Sequence, residues 1–331
     1  MNPRENMMAI WEGRQPDYYG NFFSAAKIVS DPIRMADACP ADGREHKDSW
    51  GTICVRLPGA PGKHPHITSD NVVVSDIERW ESQMSVPPAK GLDWSKAKQE
   101  VADLDRNETF VVFWSAQGLF ERSHFLMGME EAFCAYLEEP EAMGAMLEKI
   151  ADFKIAAIEE AYKQIHPDVV YFHDDWGSKQ NLFLPPDVWR EMIKPLQAKI
   201  VDAVHRLGMM FIHHADCICE PIVEDMVEIG IDAWQGVIPQ NDIVSIQERT
   251  QGKLAMIGGI DSAAIDTEAT TEKDIRREVR RAVDAYCPGG RFFPALSSHL
   301  YIPGNEAIAV RELERYGRRW AQEHPVGIGE N

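Results

Sequence analysis

Six short apolar runs, each closely followed by polar residues, constrain the possible folds of this chain more than any other feature. They are TFVVFW (109–114), DVVYFHDD (168–175), MMFIHHAD (209–216), IDAWQGV (231–237), KLAMIGGID (253–261) and GRFFPAL (290–296). Near-continuous Val, Ile, Phe and Met suit strands buried on both faces, as in a parallel sheet covered by helices. Helical segments lie between the runs. Residues 140–165 place Met146, Ile150, Phe153 and Ala157 three or four positions apart, making one apolar stripe. Residues 185–208 open on prolines and stop at Gly208, and Pro195 is expected to kink this helix or divide it. More than five strand–helix units favour a closed (β/α)8 TIM barrel over an open sheet. Two of the eight strands must then come from the first hundred residues, where TICVRLPG (52–59) and NVVVSDIERW (71–80) suggest a hairpin. One domain, 1–331, is expected, with an N-terminal part carrying additions over about 1–105 and the main barrel units over 106–323. The last residues, HPVGIGEN, are expected to fray.

Charge and cysteine content narrow the function classes. A formal net charge of −19, from 34 basic and 53 acidic side chains, repels phosphate backbones and anionic lipid. Neither nucleic acid nor membrane is an expected partner, and no apolar stretch reaches the length of a membrane span. Six scattered cysteines in 331 residues do not make a disulfide framework and read as reduced thiols of a cytoplasmic protein. No Walker, dinucleotide or nucleophile-elbow pattern appears.

In a barrel of this kind, chemistry gathers where the strands end. Ser115 and Gln117 follow the first run, Asp174 and Asp175 end the second, and His213, His214 and Asp216 end the third. Gln235, Asp261, and Ser297 to His299 follow in the others. Strand alternation sorts them: His214 and Asp216 share a face with Ile212, and His213 takes the other. By the same rule only one of Asp174 and Asp175 points inward, while the other caps the following turn. An inward carboxylate could orient substrate or work as an acid or base. His214 and Asp216 could converge on one metal ion, with His299 from another strand as third ligand. A histidine–aspartate pair is also a common structural hydrogen-bonded unit, and Cys217, Cys219 and Glu220 are alternative ligands.

Several segments together resemble the uroporphyrinogen decarboxylase superfamily. They include RENMMAIWEGRQPDYYGNF, KDSWGTICV (47–55), the stretch 118–147, DDWGSKQNLFLPPDVWREMIKP (174–195), FIHHADCICEPIVEDMVEIGIDAWQGV (211–237) and IGGID (257–261). The resemblance implies a TIM barrel with its site at the carboxyl ends of the strands. The arginine-rich N-terminal motif of the porphyrinogen decarboxylases is not matched by NFFSAAKIVSDPIRM. The other branch consists of zinc-dependent methyltransferases that exchange methyl groups with corrinoid proteins. Those acting on coenzyme M carry a His-x-Cys and a later cysteine. Here His214 matches the histidine, Asp216 stands in place of the first cysteine, and FFPALSSHLY contains none for the second.

The likeness therefore implies a substrate-side methyltransferase of an O-demethylase system. It would move a methyl group from a small methoxylated, aromatic compound to a partner's corrinoid. Zinc is expected on His214, Asp216 and His299, with Asp174, Asp175, His214, Gln235 and Asp261 as catalytic candidates. Trp176, Trp234 and Phe113 are candidates to wall the substrate. The rival readings are a metal-independent decarboxylase or lyase using Asp174 or Asp175, and a non-catalytic barrel that binds a corrinoid or small molecule.

Overall fold

The computed structural model describes residues 1–60 and 62–325, so most of the tail expected to fray lies outside the described residues. Seven parallel strands lie side by side in chain order: β1 (Ala26–Ile28), β2 (Phe110–Ser115), β3 (Val169–His173), β4 (Met210–His214), β5 (Ala233–Val237), β6 (Ala255–Ile260) and β7 (Phe292–Leu296). All six expected apolar runs are strands, and β6 is buried along its whole length. Helices return the chain between them, giving a curled sheet of the TIM-barrel type. The expectation of two strands from the first hundred residues is corrected. Only the three-residue β1 joins this sheet, and among the described residues no strand pairs β1 to β7.

Aromatic packing takes the place of hydrogen bonds at that seam. Phe22, just before β1, has its ring centroid 5.0 Å from Phe110 of β2 and 5.6 Å from Phe293 of β7. Trp11, which ends helix α1 (Pro3–Trp11), packs tilted against Phe22 at 5.5 Å and Phe293 at 6.0 Å. Phe22 is fully buried, a contribution of roughly 1.5–3 kcal/mol. Helix α1 closes the amino-terminal end of the barrel, with Arg4 lying 4.2 Å over Phe110 and pairing with Asp168 at 2.9 Å.

The hairpin expected from residues 52–59 and 71–80 is also corrected. Ile53–Val55 pairs antiparallel with Glu45–Lys47 and His64–Pro65, whereas residues 71–80 form turns and the start of helical structure. Val73 and Val74 instead donate their backbone N–H groups to the Leu126 carbonyl, which ties this segment to the barrel. After β2 comes helix α2 (Leu119–Met127). The helix expected over 140–165 is α3 (Pro140–Ile165), with Met146, Ile150, Phe153 and Ala157 buried. Pro195 lies just past a break that yields α4 (Pro186–Met192) and α5 (Lys194–Arg206). Two further helices, α6 (Glu272–Tyr286) and α7 (Asn305–Glu323), pack against each other. No described helix is long and apolar enough to cross a membrane.

One buried cation in α3 shapes how stability responds to pH. Lys154 is 2% exposed, and its Nζ donates to the Ala116 carbonyl at 3.0 Å, fixing the turn between β2 and α2. Burial, with Arg122 adding repulsion, pushes the ammonium down to about 7 from 10.5. The unfolded chain therefore binds the extra proton between these values, so stability should rise with pH above 7. Lys154→Met is expected to remove about 1.4 kcal/mol of that rise per pH unit between pH 7 and 9. Urea unfolding of both proteins across that interval checks this, and parallel pH profiles would refute it.

Candidate active site

The register of neighbouring strands assembles the site. In parallel strands, paired residues face the same side, and His173 of β3 pairs with His214 of β4, which pairs with Gln235 of β5. Their side chains meet inside the barrel at its carboxyl end. The imidazoles of His173 and His214 stack with centroids 4.3 Å apart and planes 14° from parallel. Asp175, two residues beyond His173, joins them: its Oδ1 is 3.8 Å from His214 Nε2 and its Oδ2 is 3.9 Å from His173 Nε2. Among the described residues, these three form the one group whose His, Cys or carboxylate atoms all lie within 4.8 Å of one another.

A ring of partners fixes both imidazoles. Glu121 of α2 accepts from His173 Nδ1 at 2.9 Å. Gln235 Oε1 accepts from His214 Nδ1 and from the Tyr171 hydroxyl, which itself sits 3.0 Å from that nitrogen. With Nδ1 used, each ring presents Nε2 toward Asp175. Asp175 is also anchored, since the Asp216 backbone N–H donates to its Oδ1 at 3.2 Å. The electrostatics are strongly biased. Burial pushes the Asp175 carboxyl up to about 8, and the Glu121 charge adds to it. Burial alone would lower His173, yet Glu121 and the aspartates carry it up to about 9. Burial and the neighbouring His173 press His214 down to about 3.

The expected members are only partly brought together. His214 and Gln235 are in the cluster, and Asp216 adjoins it through its backbone. The proposed triad of His214, Asp216 and His299 does not converge. His299 lies beyond β7, about half exposed, with Nδ1 3.9 Å from Glu306 and its ring against Tyr301. Of the two aspartates of which only one could point inward, Asp174 is the one that faces away, and it is fully buried. It accepts from the Phe120 and Glu121 backbone N–H groups and from Trp176 Nε1, at 3.1, 2.8 and 2.9 Å, so it caps α2. Asp261 caps the turn after β6 by accepting from Ala264 N–H. Cys217 and Cys219 are buried with their sulfurs 3.5 Å apart, and Glu220 pairs with Arg249 at the surface.

The aromatic candidates also change. Trp176 stacks on the outward His213 at 3.8 Å, Trp234 donates to the Ala215 carbonyl, and Phe113 packs near Trp94, all in the core. Tyr171, Trp114 and Phe23 are the aromatics near the cluster, with Tyr171 6.0 Å from Trp114 and 4.9 Å from Phe23. A cleft of about 1340 Å³ is lined by His214 and Gln235 together with Tyr18, Tyr19, Phe23 and His299.

Close approach of α2 to β3 depends on one glycine. A Cβ on Gly118 would lie 2.3 Å from the Asp174 Cβ. Gly118→Ala is therefore expected to displace the Asp174 cap and cost about 1–3 kcal/mol, measured by urea unfolding. Wild-type stability in this variant would contradict the account.

Asp175 is among the expected catalytic residues, whereas His173 and Glu121 are not, although His173 shares the Asp175 face by alternation. Glu121 had no signal of its own.

The profile of the family described as uroporphyrinogen decarboxylase (URO-D) matches residues 56–311, most of the chain. The chain belongs to the uroporphyrinogen decarboxylase family. Among solved structures, this family member shares its fold with a methyltransferase from Methanosarcina mazei. The TM-score is 0.63 at 12% identity, over 96% of this chain and 99% of that one. No curated protein matches it in sequence. For zinc, the metal expected from the family resemblance, the donor types suit: two imidazoles with Nε2 turned toward one carboxylate leave a position for a reacting atom.

Proposed function

We propose that this protein transfers the methyl group of a small methoxylated aromatic compound to the reduced cobalt of a corrinoid carried by a partner protein. The donor set carries this reading: two imidazoles and a carboxylate converge at the strand ends, and no thiolate is among them. Nitrogen and carboxylate donors suit chemistry at oxygen, whereas a thiol acceptor calls for a softer site. Membership of the uroporphyrinogen decarboxylase family, and a fold shared with a methyltransferase, support the class of reaction.

Zinc held by His173, Asp175 and His214 would supply Lewis-acid polarisation of the ether oxygen. The chain's own residues do the positioning. Glu121 and Gln235 lock the two rings, so that both Nε2 atoms face Asp175 and the position an ion would take. Tyr171, Trp114 and Phe23 offer apolar faces to an aromatic ring and exclude water beside it. Holding the methyl carbon in line with the incoming cobalt removes much of the entropic barrier. The carbon–oxygen bond breaks with its electron pair left on oxygen, and the methyl carbon joins cobalt, which supplies the two electrons of the new bond.

The test is incubation with a reduced corrinoid protein and, separately, methyl ethers, methyl thioethers and methylamines. A methyl–cobalt absorption change with a methoxylated aromatic is expected. Transfer only from a thioether or an amine, or decarboxylation of a porphyrinogen without ether cleavage, would overturn the reading.

A further inference from the structure

We infer that His173, Asp175 and His214 form a divalent-metal site in which Glu121 is the positioning residue that sets affinity. This deepens the methyl-transfer reading by assigning a ligand set that uses neither of the neighbouring thiols. The geometry is the first argument. Four ligands about 2.1 Å from a tetrahedral ion lie about 3.4 Å from one another. Asp175 stands 3.8 and 3.9 Å from the two Nε2 atoms. That is too far for good hydrogen bonds, and a contraction of a few tenths of an ångström would bring the three around one ion.

The second argument is the outer ring of hydrogen bonds, which is independent of the cluster's spacing. Gln235 Oε1 receives the Tyr171 hydroxyl and so also accepts from His214 Nδ1, which places the ring proton there and leaves Nε2 as a lone-pair donor. Glu121 holds the His173 ring in the matching orientation from α2, with its Nε2 turned toward Asp175. A carboxylate behind a ligating imidazole fixes its tautomer and orientation and raises its basicity. Both rings are thus oriented toward the shared position beside Asp175 before an ion arrives.

The alternatives in the same region are already engaged. Cys217 and Cys219 are buried against each other, with the Asn241 side chain bonded to the backbone beside them. His299 belongs to another part of the cleft, beside Glu306. A site built this way takes zinc, cobalt or iron in their divalent states in preference to thiophilic ions.

The experiment uses the full-length protein, stripped of metal and titrated with Zn²⁺ and with Co²⁺. Bound metal is followed by calorimetry and by the visible spectrum of Co²⁺. The wild type should bind one equivalent, with a spectrum free of sulfur-to-metal charge transfer. His173→Ala, Asp175→Asn and His214→Ala should each abolish specific binding, whereas Cys217→Ser, Cys219→Ser and His299→Ala should keep it. Glu121→Gln should keep the site and weaken it about 10- to 100-fold. Thermal unfolding of each variant in chelator separates lost ligation from lost fold. Failure of the folded wild type to bind either ion, binding that survives Asp175→Asn, or a thiolate band lost in Cys217→Ser would overturn the assignment. The titration involves neither substrate nor corrinoid. Ether cleavage without metal binding would refute the site alone, and metal binding without methyl transfer would refute the function alone.

Discussion

Arg122→Met is expected to destabilise the protein by about 3–5 kcal/mol, the cost of stripping one partner from a buried ion cluster. Arg122 is fully buried in α2. Its guanidinium pairs with Asp48 at 2.7 Å and Asp37 at 3.3 Å, and donates to Gln117 at 2.9 Å. It also lies 5.0 Å over the Trp50 ring. Removing it leaves the two carboxylates with neutral hydrogen-bond donors and with Lys63, whose Nζ is 3.7 Å from Asp48, as the nearby cation. Urea unfolding at neutral pH measures the loss. Adding Asp37→Asn and Asp48→Asn to the variant should recover a large part of it, because the uncompensated charges then disappear. A loss below about 1 kcal/mol, the usual worth of an exposed pair, would show that the cluster is solvated and the argument wrong. The network also has an acid signature. Burial works against the Asp37 charge, but Arg122 and Lys63 outweigh it and hold the carboxyl below its usual 3.8. A lowered carboxyl contributes its stability fully above its unfolded value and loses it as pH falls through the folded value. That part of the stability should therefore be intact at pH 5 and fade below pH 4.

Asp175→Asn and His214→Ala are expected to reduce methyl transfer by about 10³-fold, or about 4 kcal/mol of barrier, as when a group that stabilises developing charge on oxygen is lost. Both residues lie at the point where the two Nε2 atoms and the carboxylate converge. Asp174→Asn provides the contrast. It removes charge next door, but from a carboxylate that caps α2 and faces away from the cleft. Its first effect should be on stability, with activity per folded molecule largely retained. Single-turnover methylation of the corrinoid, corrected for the folded fraction, distinguishes these outcomes. If Asp174→Asn lost as much turnover as Asp175→Asn while remaining folded, the inward–outward division of the pair would have no functional meaning.

Much of this architecture could be read from local pattern, because burial on both faces leaves a signature that needs no partner. Each apolar run became a strand, and α3 spans the residues its stripe and Pro140 indicate. Pro195 marks a break because it can neither donate to the preceding turn nor fit beneath it. The first hundred residues resisted the same reading. Their strands are two or three residues long, too short for any periodicity, and the place of an eighth strand went to packed aromatics.

The sequence by itself determined the six long strands β2 to β7, their order of faces, and the division of Asp174 from Asp175 and of His213 from His214. All of these follow from the two-residue repeat of an extended chain. Only the tertiary structure decided which face is the interior and which residues meet there. Glu121 and His173 are 52 residues apart, brought together by the placement of α2 over β3, and the His173–His214 stack exists because β3 and β4 pair in that register. Register between distant strands is set by the packing of the whole barrel, a sum of many contacts that no short stretch encodes. For that reason His214 could be singled out from its own strand, whereas His299 had to give way to His173 once the sheet had formed.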